Sequence, residues 1–267
     1  MGDILQEVLD LAANGYQEVV LTGIHLDSYG TDLEGTSLLA VVQEVAKIEG
    51  IRRIRLGSLE PRIMTEEFVR GLAAEKKLCP HFHLSLQSGC DETLKRMNRR
   101  YTADEFRDCC GRLRRYFDHP ALTTDVIVGF PGETEEDFQE TLDVVRKVGY
   151  DSAFTFLYSK RTGTPAAVME NQIPEDVAKD RFSRLLTEVQ EIAKERSSRF
   201  QGQVLPVLVE EVNTHTPGLM TGRLANNLLV HFPGGAELLG QIRNVRLDES
   251  KGFYYMGTLA DSPGKDG

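Results

Sequence analysis

Two hydrophobic periods divide the chain. From the N-terminus to Tyr158, short β-branched runs alternate with stretches whose apolar residues recur every three or four positions. Strands are predicted at Gln17–Gly23, Ile51–Ser58, Phe82–Gln87, Leu122–Gly129 and Ala153–Tyr158. Helices are predicted at Asp3–Asn14, Ser37–Lys47, Thr65–Lys77, Thr102–Phe117 and Thr134–Val148. In Ser37–Lys47, for example, Leu38, Leu39, Val42 and Val45 fall on one helical face, the signature of a helix with one side buried. Strand–helix alternation of this kind builds a parallel sheet with helical crossovers. Five strands give an open or partial α/β barrel, short of the eight that close a complete one.

The pattern changes after Ser159. Pro174 opens a long amphipathic helix running to about Phe200, with proline expected at the first helical position. Beyond Gln201-Gly202 come short alternating strands at Val204–Glu210, Leu219–Gly222, Leu228–Phe232, Leu239–Val245 and Phe253–Leu259, parted by Gly- and Pro-containing turns. They predict a small all-β barrel or sandwich. The polar tail at 261–267 is expected to fray. At the other end, the helix Asp3–Asn14 has no strand before it, so the βα series reads as cut on its N-terminal side.

Composition narrows the class. With 40% hydrophobic and 27% charged residues, the 267-residue chain is globular rather than disordered. No apolar run approaches the roughly 20 residues that span a bilayer, and the acidic start MGDILQEVLD is not a secretory signal. Cys79, Cys90, Cys109 and Cys110 lack the spacing of a secreted scaffold and read as reduced thiols of a cytoplasmic protein. Lys and Arg number 31 against 41 Asp and Glu. A nucleic-acid partner would therefore have to be held by local basic patches.

Candidate chemistry gathers at the strand ends, where α/β folds place their sites. Those ends read LTGIHLDSYG, RLGSLEP, HLSLQSG, DVIVGFPGET and FLYSKRTGT. In HFHLSLQS, His81, His83, Ser85 and Gln87 share one face and Phe82, Leu84 and Leu86 the other. Helices cover the outside of such a barrel, so the polar face is expected to point inward, toward a solvated cavity for a polar ligand. Gly129, ending a strand in GFPGET, is expected to let backbone approach that ligand closely. A basic cluster, Lys95, Arg96, Arg99 and Arg100, follows one of these loops and precedes Tyr101. It could hold nucleic-acid phosphates, with Tyr101 stacking on a base. Cys79, His81 and His83 alternate onto one face, but Cys90 lies past the strand end and no Cys-x-x-Cys knuckle exists. No metal site is assigned. Cys109 and Cys110, inside a helix, are expected to be inert.

The runs TGIHLDSYG, RIRLGSLEP, CPHFHLSLQSGCDETLKRMNRRYT, TTDVIVGFPGETEEDF and YSKRTGTPAA together resemble the radical-SAM methylthiotransferases. The CPHFHLSLQSGCDETLKRMNRRY stretch favours the MtaB-type branch, which acts on N6-threonylcarbamoyladenosine next to the tRNA anticodon. MiaB-type enzymes, acting on isopentenyladenosine, and RimO-type enzymes are relatives. The resemblance implies a partial radical-SAM barrel lacking its first strand over 1–170, a linking helix over 171–202 and a TRAM, OB-like β-barrel over 203–260. It implies a monomeric cytoplasmic transferase for tRNA that binds S-adenosylmethionine and, at full length, two 4Fe-4S clusters. Sulfur and electron donors would serve it. By position in the motifs, Gly23 falls at the methionine end of S-adenosylmethionine, Ser85 and Gln87 at the ribose, and Ile127 and Gly129 beside the adenine. Tyr158, Ser159 and Arg161 fall at the last strand end, near cofactor or substrate. The same clusters propose Arg96, Arg99, Arg100 and Tyr101 for RNA.

Two departures qualify the resemblance. The family's Cys-x-x-x-Cys-x-x-Cys is absent, so the chain reads as a fragment that holds neither cluster and performs no radical chemistry. In the β-domain, TGRLANNLLV replaces an aromatic-rich turn, and residues 203–267 carry five Lys/Arg against seven Asp/Glu, which weakens RNA contact there. A MiaB-type enzyme acting on isopentenyladenosine, or an RNA-binding module without catalysis, is the alternative. A metal-independent lyase or aldolase ranks last, because Lys160 and Glu60 are poor catalytic candidates.

Overall fold

The structure, a computed structural model, describes residues 1–260; the tail expected to fray lies outside the described residues. Five parallel strands form a curved layer: β1 (Glu18–Leu21), β2 (Arg53–Leu56), β3 (His81–His83), β4 (Ala121–Val128) and β5 (Ser152–Leu157). The ladders β1–β2 and β3–β4–β5 are separate sheets. They are stitched at Ile54–Leu78 and Leu59–Leu84, with the Leu59 amide donating to His83 O at 2.9 Å. The layer therefore runs β1 to β5 in chain order and leaves β1 and β5 as open edges.

Helices cover only the outer face: α1 (Gly2–Ala13), α2 (Leu38–Lys47), α3 (Glu66–Ala73), α4 (Asp91–Arg96), α5 (Ala103–Tyr116) and α6 (Glu135–Val148). Their local causes are visible. Ser37 and Thr65 cap α2 and α3 through their hydroxyls. Thr102 and Thr134 close capping boxes with Glu105 and Asp137, satisfying amides that a helix start leaves open. Val42, Val45, Leu72, Phe106 and Phe138 then bury against Ile54, Phe82, Leu84, Val126 and Val128 in one core.

The long helix α7 (Glu175–Ser198) leads into a closed five-stranded barrel of order β10-β8-β7-β6-β9. Its strands are β6 (Val204–Val212), β7 (Leu219–Leu224), β8 (Leu229–Pro233), β9 (Ile242–Ser250) and β10 (Tyr254–Leu259). Closure removes the exposed edges a small sheet would otherwise present, around a core of Val207, Val230, Phe232, Val245, Leu247 and Tyr255. Among the described residues no helix is long and apolar enough to cross a membrane.

Five elements differ from the sequence reading. The strand expected at Phe82–Gln87 is His81–His83, with Gln87 bridging to β4 beyond its end. Pro174 is the N-cap of α7 rather than its first helical residue. The strand expected at Leu239–Val245 starts at Ile242, because Ala236–Leu238 forms a 3-10 turn and Gly240 takes φ +74. The helix expected to reach Lys77 stops at Ala73. The short helix α4 was not signalled, since six residues hold too little periodicity to detect.

The two barrels are joined by charge. Arg53 Nη1 and Nη2 donate to Arg223 O (2.9 Å) and Pro206 O (2.6 Å), and Arg55 Nη1 donates to Ala225 O (3.0 Å). Glu18 accepts from Arg55 Nε at 2.9 Å. Both guanidiniums are buried; the desolvation lowers the pKa of Arg53. Every charge here meets an opposite charge or a carbonyl dipole, which is what burial of charge requires.

Candidate functional site

The inner face of the layer is polar at its centre, as the alternation in HFHLSLQS predicts. His83 Nδ1 lies 3.0 Å from Thr123 Oγ1 and its Nε2 3.2 Å from Asp125 Oδ2, which also accepts from Ser85 Oγ at 3.5 Å. Thr123 and Asp125 alternate on β4 just as the histidines do on β3, so the signal for Asp125 was present in DVIVG. His81, deeper in, contacts Thr123 at 3.3 Å and leaves its Nδ1 without a partner. Burial, then the charges of Arg55, His83 and Arg223, press its pKa down to about 3.

At the C-terminal ends of β3, β4 and β5 this face opens into a cavity of about 850 Å³. Gln87, Ile127, Tyr158, Ser159, Arg161, Arg96 and Arg99 all line it. Gln87 holds φ +67, a left-handed backbone that non-glycine residues adopt rarely. Its backbone still pairs with β4, donating to Asp125 O and accepting from Ile127 N. The Tyr158 amide donates to Val128 O at 2.9 Å, its ring meets Phe130 edge-on at 5.2 Å, and its hydroxyl is buried with no partner. Tyr158 thus lines the cavity, while its hydroxyl is enclosed and lacks a hydrogen-bond partner. The walls are more apolar than the sequence suggested: Met97, Phe130, Leu157 and Met169 contribute without a signal from strand alternation, and Phe156, which alternates with Tyr158, joins them.

Other sequence candidates stand elsewhere. Ser85 reaches the site only through Asp125. Gly23, exposed at the end of β1, does not line the cavity, and a Cβ there would meet Leu26 at an ordinary 3.5 Å. Gly129 does not line the cavity. Its φ is +76, and a Cβ would lie 2.8 Å from Ala178 Cβ, so glycine makes room for α7. Its amide donates to the buried Glu133, which Arg181 engages at 2.8 Å; burial raises the Glu133 pKa. Tyr101 cannot stack on a base, being 5% exposed with its hydroxyl donating to Ser85 O at 2.7 Å. Burial raises its pKa to about 12. Arg96 is held by Asp137 at 2.8 Å and Arg99 by Glu60 at 3.4 Å, while Arg100 is exposed.

None of the four cysteines lines the cavity. All are buried, and burial raises every thiol pKa, to about 11 for Cys79 and Cys90 and about 12 for Cys110. Cys109 donates to Pro61 O at 3.1 Å. Thiolates are what an iron–sulfur cluster takes as ligands, so these residues do not fit one.

Fold and site together define an open α/β half-barrel with a cavity at its strand ends, tied to a small closed β-barrel. The Radical SAM superfamily profile matches residues 1–145 and the TRAM domain profile residues 198–260. The chain belongs to the Radical SAM superfamily and ends in a TRAM domain. It is 51% identical over 260 residues to a tRNA-2-methylthio-N(6)-dimethylallyladenosine synthase of Lachnoclostridium phytofermentans, covering 97% of this chain and 57% of that protein. Its identity to the protein of the same name from Acetivibrio thermocellus is 45%, covering 97% of this chain and 54% of that one. The chain thus spans little more than half the length of these relatives. Coproporphyrinogen III oxidase (HemN) from Escherichia coli shares the fold, with a TM-score of 0.53 at 19% identity over 76% of this chain and 46% of that one. The relatives' names overturn the threonylcarbamoyladenosine, MtaB-type assignment: relatives of 40–51% identity bear the dimethylallyladenosine name. The stretch CPHFHLSLQSGCDETLKRMNRRY lies mainly on core and strand positions, which mark the fold shared by the branches and not the substrate.

Proposed function

We propose that this chain is the S-adenosylmethionine-binding half-barrel and the RNA-contacting module of a tRNA methylthiotransferase of the MiaB type, acting on N6-dimethylallyladenosine. The observation that carries the reading is similarity to enzymes of that name along 97% of the chain, together with a cavity whose free polar groups lie on the inward strand faces. S-adenosylmethionine fits those groups. Gln87 and Asp125 offer an amide and a carboxylate to hydroxyl and ammonium groups, and Ile127, Phe130 and the Tyr158 ring offer apolar and aromatic surface to the adenine. Ser159 and Arg161, on the exposed rim, meet the outer end of cofactor or substrate. Arg100, with Arg96 and Arg99 as already paired neighbours, offers a contact to tRNA phosphate.

The bound cofactor supplies the reactive adenosyl group. The residues of this chain hold and orient it, with Asp125 fixed in turn by His83 and Ser85. The cysteines do not fit a 4Fe-4S cluster, and no step is derived through one. Anaerobic reconstitution of this chain with iron and sulfide is expected to yield no stable brown chromophore; a stable one would contradict that reading. The cofactor reading is tested by calorimetric titration with S-adenosylmethionine. Binding that weakens about tenfold in Gln87→Ala, the loss of one good hydrogen bond, supports it, and equal binding by parent and variant refutes it.

A further inference from the structure

The cavity has two unlike halves. Its hydrogen-bonding groups, Gln87 in the segment after β3 and Asp125 on β4, stand opposite Phe156 and Leu157 on the edge strand β5 and Ala166 and Met169 on the segment after it. Phe156 pairs in register with Ile127, faces inward, and remains 48% exposed; Leu157 beside it is 38% exposed. Large apolar side chains left uncovered on the wall of a cavity, while the core of the same sheet is fully packed, mark a ligand surface.

We infer that this wall of Phe156, Leu157, Ala166 and Met169 receives the branched hydrocarbon tail of the modified adenosine and so sets which modification is accepted. The inference rests on the methylthiotransferase reading and names the part of the site that reads its substrate. Gln87 and Asp125 serve the cofactor, and the branched apolar tail of a dimethylallyl purine matches the remaining, apolar half of the cavity. A tail carrying a carboxylate and a hydroxyl would lose water on this wall without gaining partners. Of the three arginines at the cavity, Arg96 and Arg99 already hold Asp137 and Glu60, and Arg161 stands on the exposed rim. No cation is placed among Phe156, Leu157, Ala166 and Met169 to receive such a carboxylate.

Equilibrium dialysis of the whole chain against N6-dimethylallyladenosine, adenosine and S-adenosylmethionine tests this. The parent is expected to bind the dimethylallyl nucleoside roughly tenfold or more tightly than adenosine, the scale on which a small apolar group is discriminated. Phe156→Ala, which removes an exposed ring, and Ala166→Glu, which places a carboxylate on the wall, are each expected to reduce the preference to about twofold or less. Circular dichroism confirms that each is folded, and the loop variant carries the test if the strand variant is not. Binding of S-adenosylmethionine with no preference between the nucleosides overturns the inference and leaves the cofactor reading standing. A preference that survives in the folded variants also overturns it. Failure of the parent to bind S-adenosylmethionine or either nucleoside overturns both.

Discussion

The domain junction, on β1 and β2, and the strand-end cavity, at β3 to β5, both draw polar and charged side chains from the inner face of one strand layer, yet they are finished differently. At the junction, Arg53 and Arg55 are buried and fully engaged by Glu18 and the carbonyls of Pro206, Arg223 and Ala225. At the cavity, the Tyr158 hydroxyl has no partner and Phe156 has no cover. Completed networks hold structure; groups left incomplete in a concave site await a ligand. The arginines of RIRLGSLEP and of KRMNRR look alike as sequence, and only their surroundings separate a domain clamp from a cavity rim.

That contrast can be broken most forcefully at the clamp. Arg55→Ala removes the guanidinium that engages both Glu18 carboxylate oxygens and the carbonyls of Leu224 and Ala225, and is expected to cost about 3–5 kcal/mol of stability, read as a lower urea midpoint. A change under about 1 kcal/mol would mean that the junction is wet and the clamp loose. Gly129 gives the next largest effect. Gly129→Val meets both the +76° backbone angle and the Ala178 contact, for an expected loss of about 1–3 kcal/mol. Unchanged unfolding would show that α7 does not pack there.

His81 sharpens the comparison through pH, because it lies between the two regions. Its folded pKa is lowered, to about 3, so the unfolded chain binds its proton first as pH falls. Its contribution to stability is present above the ordinary histidine pKa and is lost as pH drops from about 6.5 toward 3. Replacement by Gln is expected to flatten the acid side of the stability profile over that window. An unaltered slope would place the acid sensitivity elsewhere. The smallest effect belongs to Arg100→Ala, which is expected to reduce the salt slope of tRNA binding by about one and leave thermal unfolding unchanged.

Much of this architecture is legible before any coordinates. The five strand runs, the helix starts at Thr65, Thr102 and Thr134, and the inward face of His83 and Ser85 follow from period and chemistry. The cavity was half legible. Gln87, Ile127 and Tyr158 sit on alternating strand-end positions, but Met97, Ala166 and Met169 reach it from irregular segments where no period points a side chain. Tyr101 and Gly129 were misread for one reason: a tyrosine after arginines and a glycine in a turn suit a ligand or a packed neighbour equally. Only tertiary contacts decide, here the Ser85 carbonyl and Ala178. The substrate branch was misread because shared strand motifs report the fold.

The most direct test is where S-adenosylmethionine lands. With isoleucine methyl groups labelled, titration followed by NMR is expected to shift the Ile127 signal saturably while Ile242, in the β-barrel, stays still. Saturable shifts at Ile242 with Ile127 silent would contradict the assignment of the cavity.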